Sequence, residues 1–521
     1  MRKNRQLWRL NRNTLFTVLF FLCAQCSFGG KGRAYYLDAS GNDANDGGRK
    51  SPWKSIARIN AIHLRPGDSV LFGGNQTFEG ELKMDSVSGS LDHLIVLSSY
   101  GAGHAIINAR NGTAIAINRS KYIQVSNLGL QGSGRKLGNT RNGFVVEHSD
   151  HITIDSLSIY GFQKCGVLIF ASAYIQLTGV HAFNNGFAGV QISAQPGTHD
   201  SHHITLTAVT AKNNPGDPTV LDNHSGNGIV AGYCRKVLID QCTAFNNGWD
   251  MPRKGNGPVG IWCFEADSVI IQRCISYNNK TSFGGEDGGG FDFDGGVTNS
   301  IIQYCLTYNN QGSGFGIFQY AGASIWKNNI IRFNVSYNDG TTSTARAGVY
   351  VWSDSFEKDD FSGLIFHNNL ILNQHGAAIH FAKESNYRDF RFYNNIFIGE
   401  KAILRGSTDR SVFLGNDWWS ISDRFNVGGI KDLKKWSADS GKEKREGKLT
   451  GLNLSPEFID STVALIRDPR QLMNFRKFSV KPLTQLLRGG IDVQKEAGVK
   501  IGTMDFNQQS LKYRSAIGAS F

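Results

Sequence analysis

The chain has 521 residues, a formal charge of +12 at neutral pH, 61 glycines and only 10 prolines. A chain of this length usually holds two or three domains, unless it is built from repeats, so repeats are sought first. Nothing in the sequence resembles a nucleic-acid module, and no stretch after the N-terminus predicts a membrane span. We therefore expect neither a nucleic-acid partner nor an integral membrane segment.

Residues 1–30 predict a secretory signal peptide. Five basic residues precede an apolar run, 15–24, which is too short to span a bilayer, and small residues follow it. We expect export to the periplasm, the cell surface or the medium. Cys23 and Cys26 leave lipidation open, although neither follows the small residue that such a signal normally has. Loss of the segment removes five basic residues and no acid, which lowers the formal charge from +12 to +7.

Residues 31–110 predict an N-terminal cap and the first coils of a repeat fold, with a short helix near Ser55–Ala61. From 111 to 414 the chain repeats itself. "VHAFNNG" at 180, "CTAFNNG" at 242, "CISYNNK" at 274 and "CLTYNNQ" at 305 each follow a short β-rich run. Each of these segments precedes a glycine-rich loop and a strand that opens with glycine.

This period of roughly 25–33 residues is typical of a solenoid. Short strands that are too weak to fold alone bury a continuous core when successive coils stack. The fold class we predict is all-β, a single-stranded right-handed parallel β-helix with N-terminal and C-terminal caps. The paired asparagines predict a stacked ladder at a tight turn, because Asn tolerates a left-handed backbone.

Cys242, Cys274 and Cys305 share one repeat position and predict an interior column. An exported protein permits disulfides, but one cysteine per coil favours buried thiols. Residues 415–521 are more basic and less repetitive, and they predict a flexible basic loop, a last rung and a C-terminal cap.

One stretch, "GGEDGGGFDFDGG" at 284–296, gathers four acids in a basic chain. Side chains alternate along a strand, so Phe291 and Phe293 should point into the core, and Asp292 and Asp294 outward. The same register turns aromatic residues outward on neighbouring coils, and we expect them to be exposed. Sugar rings have an apolar face that suits such side chains, so a polysaccharide or oligosaccharide, which could be anionic, is the expected partner.

Loops before these strands add further polar residues to the expected cleft. The predicted substrate-binding residues are Trp262, Phe264, Phe318, Tyr350, Trp352, His224, Arg253, Lys254 and Arg346. The predicted catalytic residues are Asp292, Asp294, Glu286, Asp287 and Glu265.

Two carboxylates can cleave a glycosidic bond, one as the acid and the other as base or nucleophile. Two outward residues that are two positions apart on a strand have Cα atoms roughly 6.6 Å apart. This spacing slightly favours a glycosidase that inverts the anomeric configuration over one that retains it, without deciding between them. Crowded acids raise one pKa, as a general acid near neutral pH requires. The same acids could instead hold Ca²⁺ for β-elimination from an acidic sugar, with Lys or Arg as the base.

The sequence resembles the secreted right-handed β-helix proteins of the pectate-lyase-like superfamily, through its "YYLDASGNDANDG" opening, its "NN" coils and its closing "IGTMDF". This resemblance implies the fold and a polysaccharide substrate, and it leaves the reaction open, since lyases, hydrolases and epimerases share this scaffold. "EDGGGFDF" is similar to the acidic calcium motif of the family-nine pectate lyases. That likeness implies Ca²⁺ ligands at Glu286, Asp287 and Asp292.

The sequence departs from that motif by its extra glycines and by Gly316, which stands where the catalytic lysine is expected. We therefore favour an exported, monomeric glycoside hydrolase that needs no cofactor. A Ca²⁺-dependent polysaccharide lyase is the second hypothesis, and a non-catalytic glycan-binding β-helix is the third. A C5-epimerase is a minor variant.

Overall fold

The computed structural model describes residues 32–341, 347–357, 359–383, 386–460, 462–481 and 485–520. The predicted signal peptide, with Cys23 and Cys26, and the predicted substrate-binding residue Arg346 lie outside these residues. Within them, successive coils stack into three columns of parallel strands, which confirms the predicted right-handed parallel β-helix. No helix of the described residues is long and apolar enough to cross a membrane.

The first column carries the acidic stretch. Its strands are Leu82–Asp85, Ile115–Asn118, Phe144–Glu147, Cys165–Phe170, Ala188–Ser193, the first part of Asn227–Asp240, the first part of Val259–Gln272, Gly289–Phe293, Phe315–Gln319, Ala347–Ser353, Ala377–Phe381 and Leu404–Arg405.

The second column follows the first along each coil. Its strands are Ala34–Leu37, Ser69–Gly73, Ile95–Tyr100, Lys121–Ser126, Asp150–Asp155, Ala173–Thr178, Ser201–Thr207, the remainders of the two long strands, Ile301–Gln303, Trp326–Arg332, Phe361–His367, Phe390–Tyr393 and Ser411–Leu414.

The third column closes each coil with a short strand. Its strands are Thr77–Glu79, Ala105–Arg110, Leu128–Gly132, Ser158–Tyr160, His181–Phe183, Thr210–Lys212, Thr243–Phe245, Ile275–Tyr277, Leu306–Tyr308, Val335–Tyr337, Leu370–Asn373, Ile396–Gly399 and Asp417–Ser420.

Alternation along the strands builds the interior, because every second side chain points inward and stacks on its neighbours above and below. Phe291 and Phe293 are fully buried, and Phe291 stacks on Phe315 of the next coil with ring centroids 5.8 Å apart. The predicted inward register of "GFDFD" is therefore confirmed.

Asparagine ladders fix two of the turns. In the first ladder, the backbone N–H of each member donates to the side-chain oxygen of the next at 2.8–3.3 Å. Its members are Asn185, Asn214, Asn247, Asn279, Asn310 and the terminal Asp339. The preceding residues of the repeats, such as Asn246, have a left-handed backbone with φ near 53°. The predicted ladder is thus confirmed.

The second ladder continues the cysteine column. Cys242, Cys274 and Cys305 are free and fully buried, as predicted. The backbone N–H of Cys305 donates to Asn334, and the chain of bonds continues to end on the buried carboxylate of Glu443. Both ladders end on an acid.

The ends of the chain differ from the repeats. The predicted N-terminal helix is present at Ile56–Asn60, with Ile56 and Ile59 in the core. Where the sequence predicts a flexible basic loop, the structure has a helix, Leu433–Ser440, and a hairpin, Lys444–Arg445 with Lys448–Leu449. The loop prediction is wrong because Leu433 and Trp436 pack into the core.

Residues 452–520, here called the strap, run along the outer face of the third column. They include the 3₁₀ helices Pro469–Asn474 and Gln485–Leu487 and the helix Val493–Ala497. Strap residues such as Leu472 and Phe475 bury the outward side chains of this column, including Leu306 and Val335. The third column is therefore covered over this region, and the first column remains free to form a site.

Candidate active site

The first column sets the residues beside Asp292. Pairing runs in register from Val230 to Trp262, Asp292, Gly316 and Tyr350 on successive coils. Because neighbouring strands lie about 4.8 Å apart, these outward positions form one continuous surface.

A cavity of about 620 Å³ lies over this surface. It is lined by Asn223, His224, Tyr233, Asn256, Gly257, Val259, Trp262, Phe264, Glu286, Asp287, Asp292, Asp294, Gly312, Ser313, Phe318, Tyr320, Tyr350, Trp352 and Asp354. The cavity thus brings together four of the five predicted catalytic acids, all five predicted aromatic residues and His224. Its size is that of an ordinary small-molecule site.

The aromatic residues do not form the exposed surface that the sequence predicts. Trp262 is 3% exposed and Phe318 is 8% exposed. The rings pack against each other: the centroids of Trp262 and Phe264, on one strand, are 5.4 Å apart, and those of Phe318 and Tyr350, on adjacent coils, are 5.8 Å apart. The indole N–H of Trp262 donates to Asn227 at 3.0 Å. These rings therefore build fixed walls of a pocket.

Asp292 lies at the bottom of the pocket. Its side chain is 3% exposed, and Oδ1 has no hydrogen-bond partner among the described residues. Burial raises its pKa well above the usual value, and the neighbouring charges of Asp294 and Asp287 raise it further. Asp292 therefore holds a proton more readily than an ordinary carboxylate does.

Asp294 is half-buried beside it. Burial raises its pKa to about 6, and the charges of Glu265 and Asp354 add to the rise, while the N–H of Gly295 opposes it. That N–H donates to Oδ1 at 2.8 Å. The two aspartates titrate as an interacting pair, in which Asp294 is the one more easily ionised.

Asp287 and Glu286 lie on the loop before the Asp292 strand and also line the pocket. Asp287 has a left-handed backbone, with φ of 58°, and accepts a bond from the N–H of Gly257 at 2.7 Å. Burial raises the pKa of Asp287 to about 7, partly opposed by that bond. Glu286 is exposed at the rim.

Glu265, the fifth predicted acid, is not part of the lining. Its Oε1 accepts from the N–H of Ser324 at 2.8 Å, and its charge is close enough to raise the pKa of Asp294. Gly296, with φ of 73°, leaves room for this carboxylate, since a Cβ there would lie 2.6 Å from Oε2 of Glu265. Gly295 makes similar room for the ring of Tyr320. The glycines after Asp294 thus let Glu265 and Tyr320 approach the backbone.

The predicted cations lie off the lining. Arg253 donates to the carbonyl of Asp222 at 2.7 Å, and neither it nor Lys254 lines the cavity. Arg253 is nevertheless close enough to lower the pKa values of Asp287 and His224. Burial is the main cause that lowers the pKa of His224, to about 4, so its imidazole is neutral at neutral pH.

Sequence reasoning missed several lining residues. Tyr320 and Asp354 stand two positions after Phe318 and Trp352, on the same outward side of their coils. Extending the alternation by one further step would have found both. Tyr233 lies at a left-handed corner within Asn227–Asp240, with φ of 49°, and Asn223 and Asn256 lie in loops, so alternation gives no signal for these three residues.

The acids do not fit the calcium site that the resemblance implies. Across the described ranges, no three His, Cys, Asp or Glu side chains are placed to hold a metal ion together. Asp287 already accepts the Gly257 N–H, and Gly316 stands directly beside Asp292, where the resemblance implies a lysine nearby.

The family model for the Pel9A-like right-handed β-helix region matches residues 35–346. No curated protein matches the chain.

Among solved structures, the chain is similar to three β-helix enzymes. GH136 lacto-N-biosidase from Eubacterium ramulus is 17% identical, with 69% of this chain and 68% of that chain covered and a TM-score of 0.48. Pectate lyase Pel9A is 14% identical, with 94% and 97% covered and a TM-score of 0.43. Alginate lyase from Paenibacillus sp. str. FPU-7 is 15% identical, with 68% and 97% covered and a TM-score of 0.38. Likeness at this level says nothing about the reaction.

Proposed function

Since the chain belongs to the Pel9A-like right-handed β-helix family, we propose that it is a glycan-cleaving enzyme, and that it acts as a glycoside hydrolase through Asp292 and Asp294. The observation that carries this proposal is a pair of carboxyl groups of unequal pKa at the base of an aromatic pocket. Two titratable groups with pKa values pushed apart are what general acid and base roles need.

The unequal environments of the two acids support different roles in this proposal. Asp292 is the more deeply buried, so it is the proton donor to the leaving oxygen. Asp294 ionises first, so it is the second carboxylate of the reaction. It acts either as the base that activates a water molecule or as the nucleophile that attacks the anomeric carbon. Trp262 lies on the coil before Asp292 and Phe318 on the coil after it, so aromatic walls flank the two acids along the helix axis and would shape the space for a sugar.

The pocket offers little support for β-elimination. The lyase hypothesis requires a Lys or Arg as the base for the C5 proton and usually a cation that neutralises the uronate. No Lys or Arg lines the cavity in the part of the chain that the structure describes. Hydrolysis uses only the carboxyl groups that are present.

Purified residues 31–521 would be incubated with neutral and acidic polysaccharides, with and without a chelator. New reducing ends without absorbance from unsaturated uronates, unaffected by the chelator, are expected. Chelator-sensitive absorbance would contradict hydrolysis and favour a lyase. Saturable binding without new chain ends from any substrate would favour a non-catalytic glycan-binding protein.

Asp292→Asn should abolish cleavage and leave the melting temperature at or above that of the wild type, since it removes a buried acid without changing its shape. Asp359→Asn is the matched control, because Asp359 pairs with Arg388 on the surface and does not line the cavity. Cleavage retained by Asp292→Asn would refute the role.

A further inference from the structure

The charges of the pocket define a class of substrate. Five carboxyl groups line it: Glu286, Asp287, Asp292, Asp294 and Asp354. No lysine or arginine lines it within the described ranges, although the whole chain carries a formal charge of +12. Carboxyl groups are therefore concentrated at this site, although the chain as a whole is basic.

These acids already repel one another. Asp294 and Asp287 raise the pKa of Asp292, and Glu265 and Asp354 raise that of Asp294. His224 supplies no compensating charge, since its imidazole is neutral at neutral pH. A further carboxylate brought in by a sugar would meet the same repulsion, in a pocket whose buried walls screen charge poorly.

The remaining polar groups of the lining suit hydroxyl groups. Asn223, Asn256 and Ser313 are uncharged donors and acceptors at the pocket wall. Aromatic rings cover much of the rest. Such a lining can hold a sugar by stacking and by neutral hydrogen bonds. Among the described residues no cation belongs to it, since Arg253, although close enough to lower the pKa of Asp287, lies off the lining and donates to the carbonyl of Asp222.

We propose, resting on the proposed function, that the sugars bound over Asp292 and Asp294 are uncharged and that uronate residues are excluded from this pocket by its carboxyl groups. The anionic partner that the basic composition allows is thereby placed outside the cleavage site.

The test uses pairs of substrates that share a backbone and linkage and differ only in charge. Glucan, mannan and galactan are each set beside the form oxidised to the carboxylate at C6, and polygalacturonate is set beside its carboxyl-reduced form. Release of reducing ends gives kcat/KM for the wild type. Calorimetry with short oligosaccharides of the same pairs gives Kd for Asp292→Asn, which keeps the other four acids.

The neutral member of at least one pair should bind at least about 100-fold more tightly than its charged form and be cleaved in preference, since like charges in contact cost several kcal/mol. Equal or tighter binding of the charged forms would overturn the inference, and so would binding of neither member of any pair. Preferential binding of a neutral member without cleavage would support the inference and refute the proposed function.

The carboxyl groups themselves are tested by Glu286→Gln combined with Asp354→Asn. The ratio of Kd between the charged and the neutral member of a pair should fall by about tenfold, because two of the repelling charges are gone. Glu357→Gln is the matched control, since Glu357 lies three residues beyond Asp354 and does not line the cavity. Unchanged discrimination in the double variant would overturn the electrostatic explanation.

Discussion

Asp292 and Asp294 together set the expected pH dependence of cleavage. Asp294 must be ionised, so activity should rise as pH increases through about 6, the value to which burial raises its pKa. Asp292 must hold its proton, so activity should fall again at higher pH, where even its raised pKa is exceeded. A bell-shaped profile of kcat/KM against pH is therefore expected for the interacting pair. A profile with no acidic limb between pH 4 and 8 would contradict the role of Asp294.

Gly316 is required beside Asp292 because the space above it is occupied. A Cβ at this position would lie 2.7 Å from the Phe318 ring and 2.9 Å from Oδ1 of Asp292. Gly316→Ala should therefore displace the ring or the acid and lower kcat by at least about tenfold, since small misplacements of reacting groups are costly.

The matched control for that change is Gly112→Ala. Its added Cβ would meet only the Ala109 carbonyl, at an ordinary 3.4 Å. Kinetics and thermal melting of both variants separate a local effect from unfolding. If Gly316→Ala keeps the kcat of the wild type, the pocket tolerates displacement of the Phe318 ring or of Asp292, and the prediction is wrong.

At the scale of single elements, the ladder that ends on Glu443 should make stability depend on pH. Glu443 is fully buried and accepts from the Asn416 amide at 2.7 Å and the Trp418 indole at 2.9 Å. Burial raises its pKa from 4.5 to about 7. The folded state then binds more protons than the unfolded state between these values, so this contribution to stability is full below about pH 4.5 and is lost as pH rises through 7.

Glu443→Gln should remove that dependence. Relative to the wild type, its melting temperature should improve as pH increases from 5 to 8, by an amount equivalent to at most about 3 kcal/mol. The control is Glu446→Gln, which changes an exposed acid of the same hairpin. A difference between Glu443→Gln and wild type that stays constant over this pH range would contradict the argument.

Strand register was predictable from the sequence because a shift of one residue would turn every apolar side chain out of the core, so the apolar pattern allows only one register. Phe291, Phe293 and the outward aspartates follow from alternation alone, and the ladder asparagines follow from the repeat. The burial of Trp262 and Phe318 does not, since it depends on packing against rings that lie thirty residues or more away in the sequence, His224 for Trp262 and Tyr350 for Phe318. The strap was missed for a related reason, because its apolar residues have no repeat and are explained only by the column that they cover.

For the whole molecule, the strap connects coils that would otherwise touch only their neighbours. In a simple solenoid each repeat contacts the next one alone, and unfolding can begin at either end. Here the Tyr308 hydroxyl donates to the carbonyl of Ile466, and the Asn368 amide to that of Ala516, at 3.1 and 2.7 Å. One segment therefore contacts coils that are not adjacent, and it should couple their unfolding.

Leu472→Ala tests this coupling. Leu472 is fully buried between the strap and the third column, so its truncation should cost about 2–5 kcal/mol. The adjacent Met473 is 44% exposed, and Met473→Ala should change stability by no more than about 0.5 kcal/mol. If the strap folds with the β-helix, Leu472→Ala shifts one melting transition seen alike in far-ultraviolet dichroism and tryptophan fluorescence. A separate early transition, with the main one unmoved, would instead show that the strap detaches while the coils stay folded.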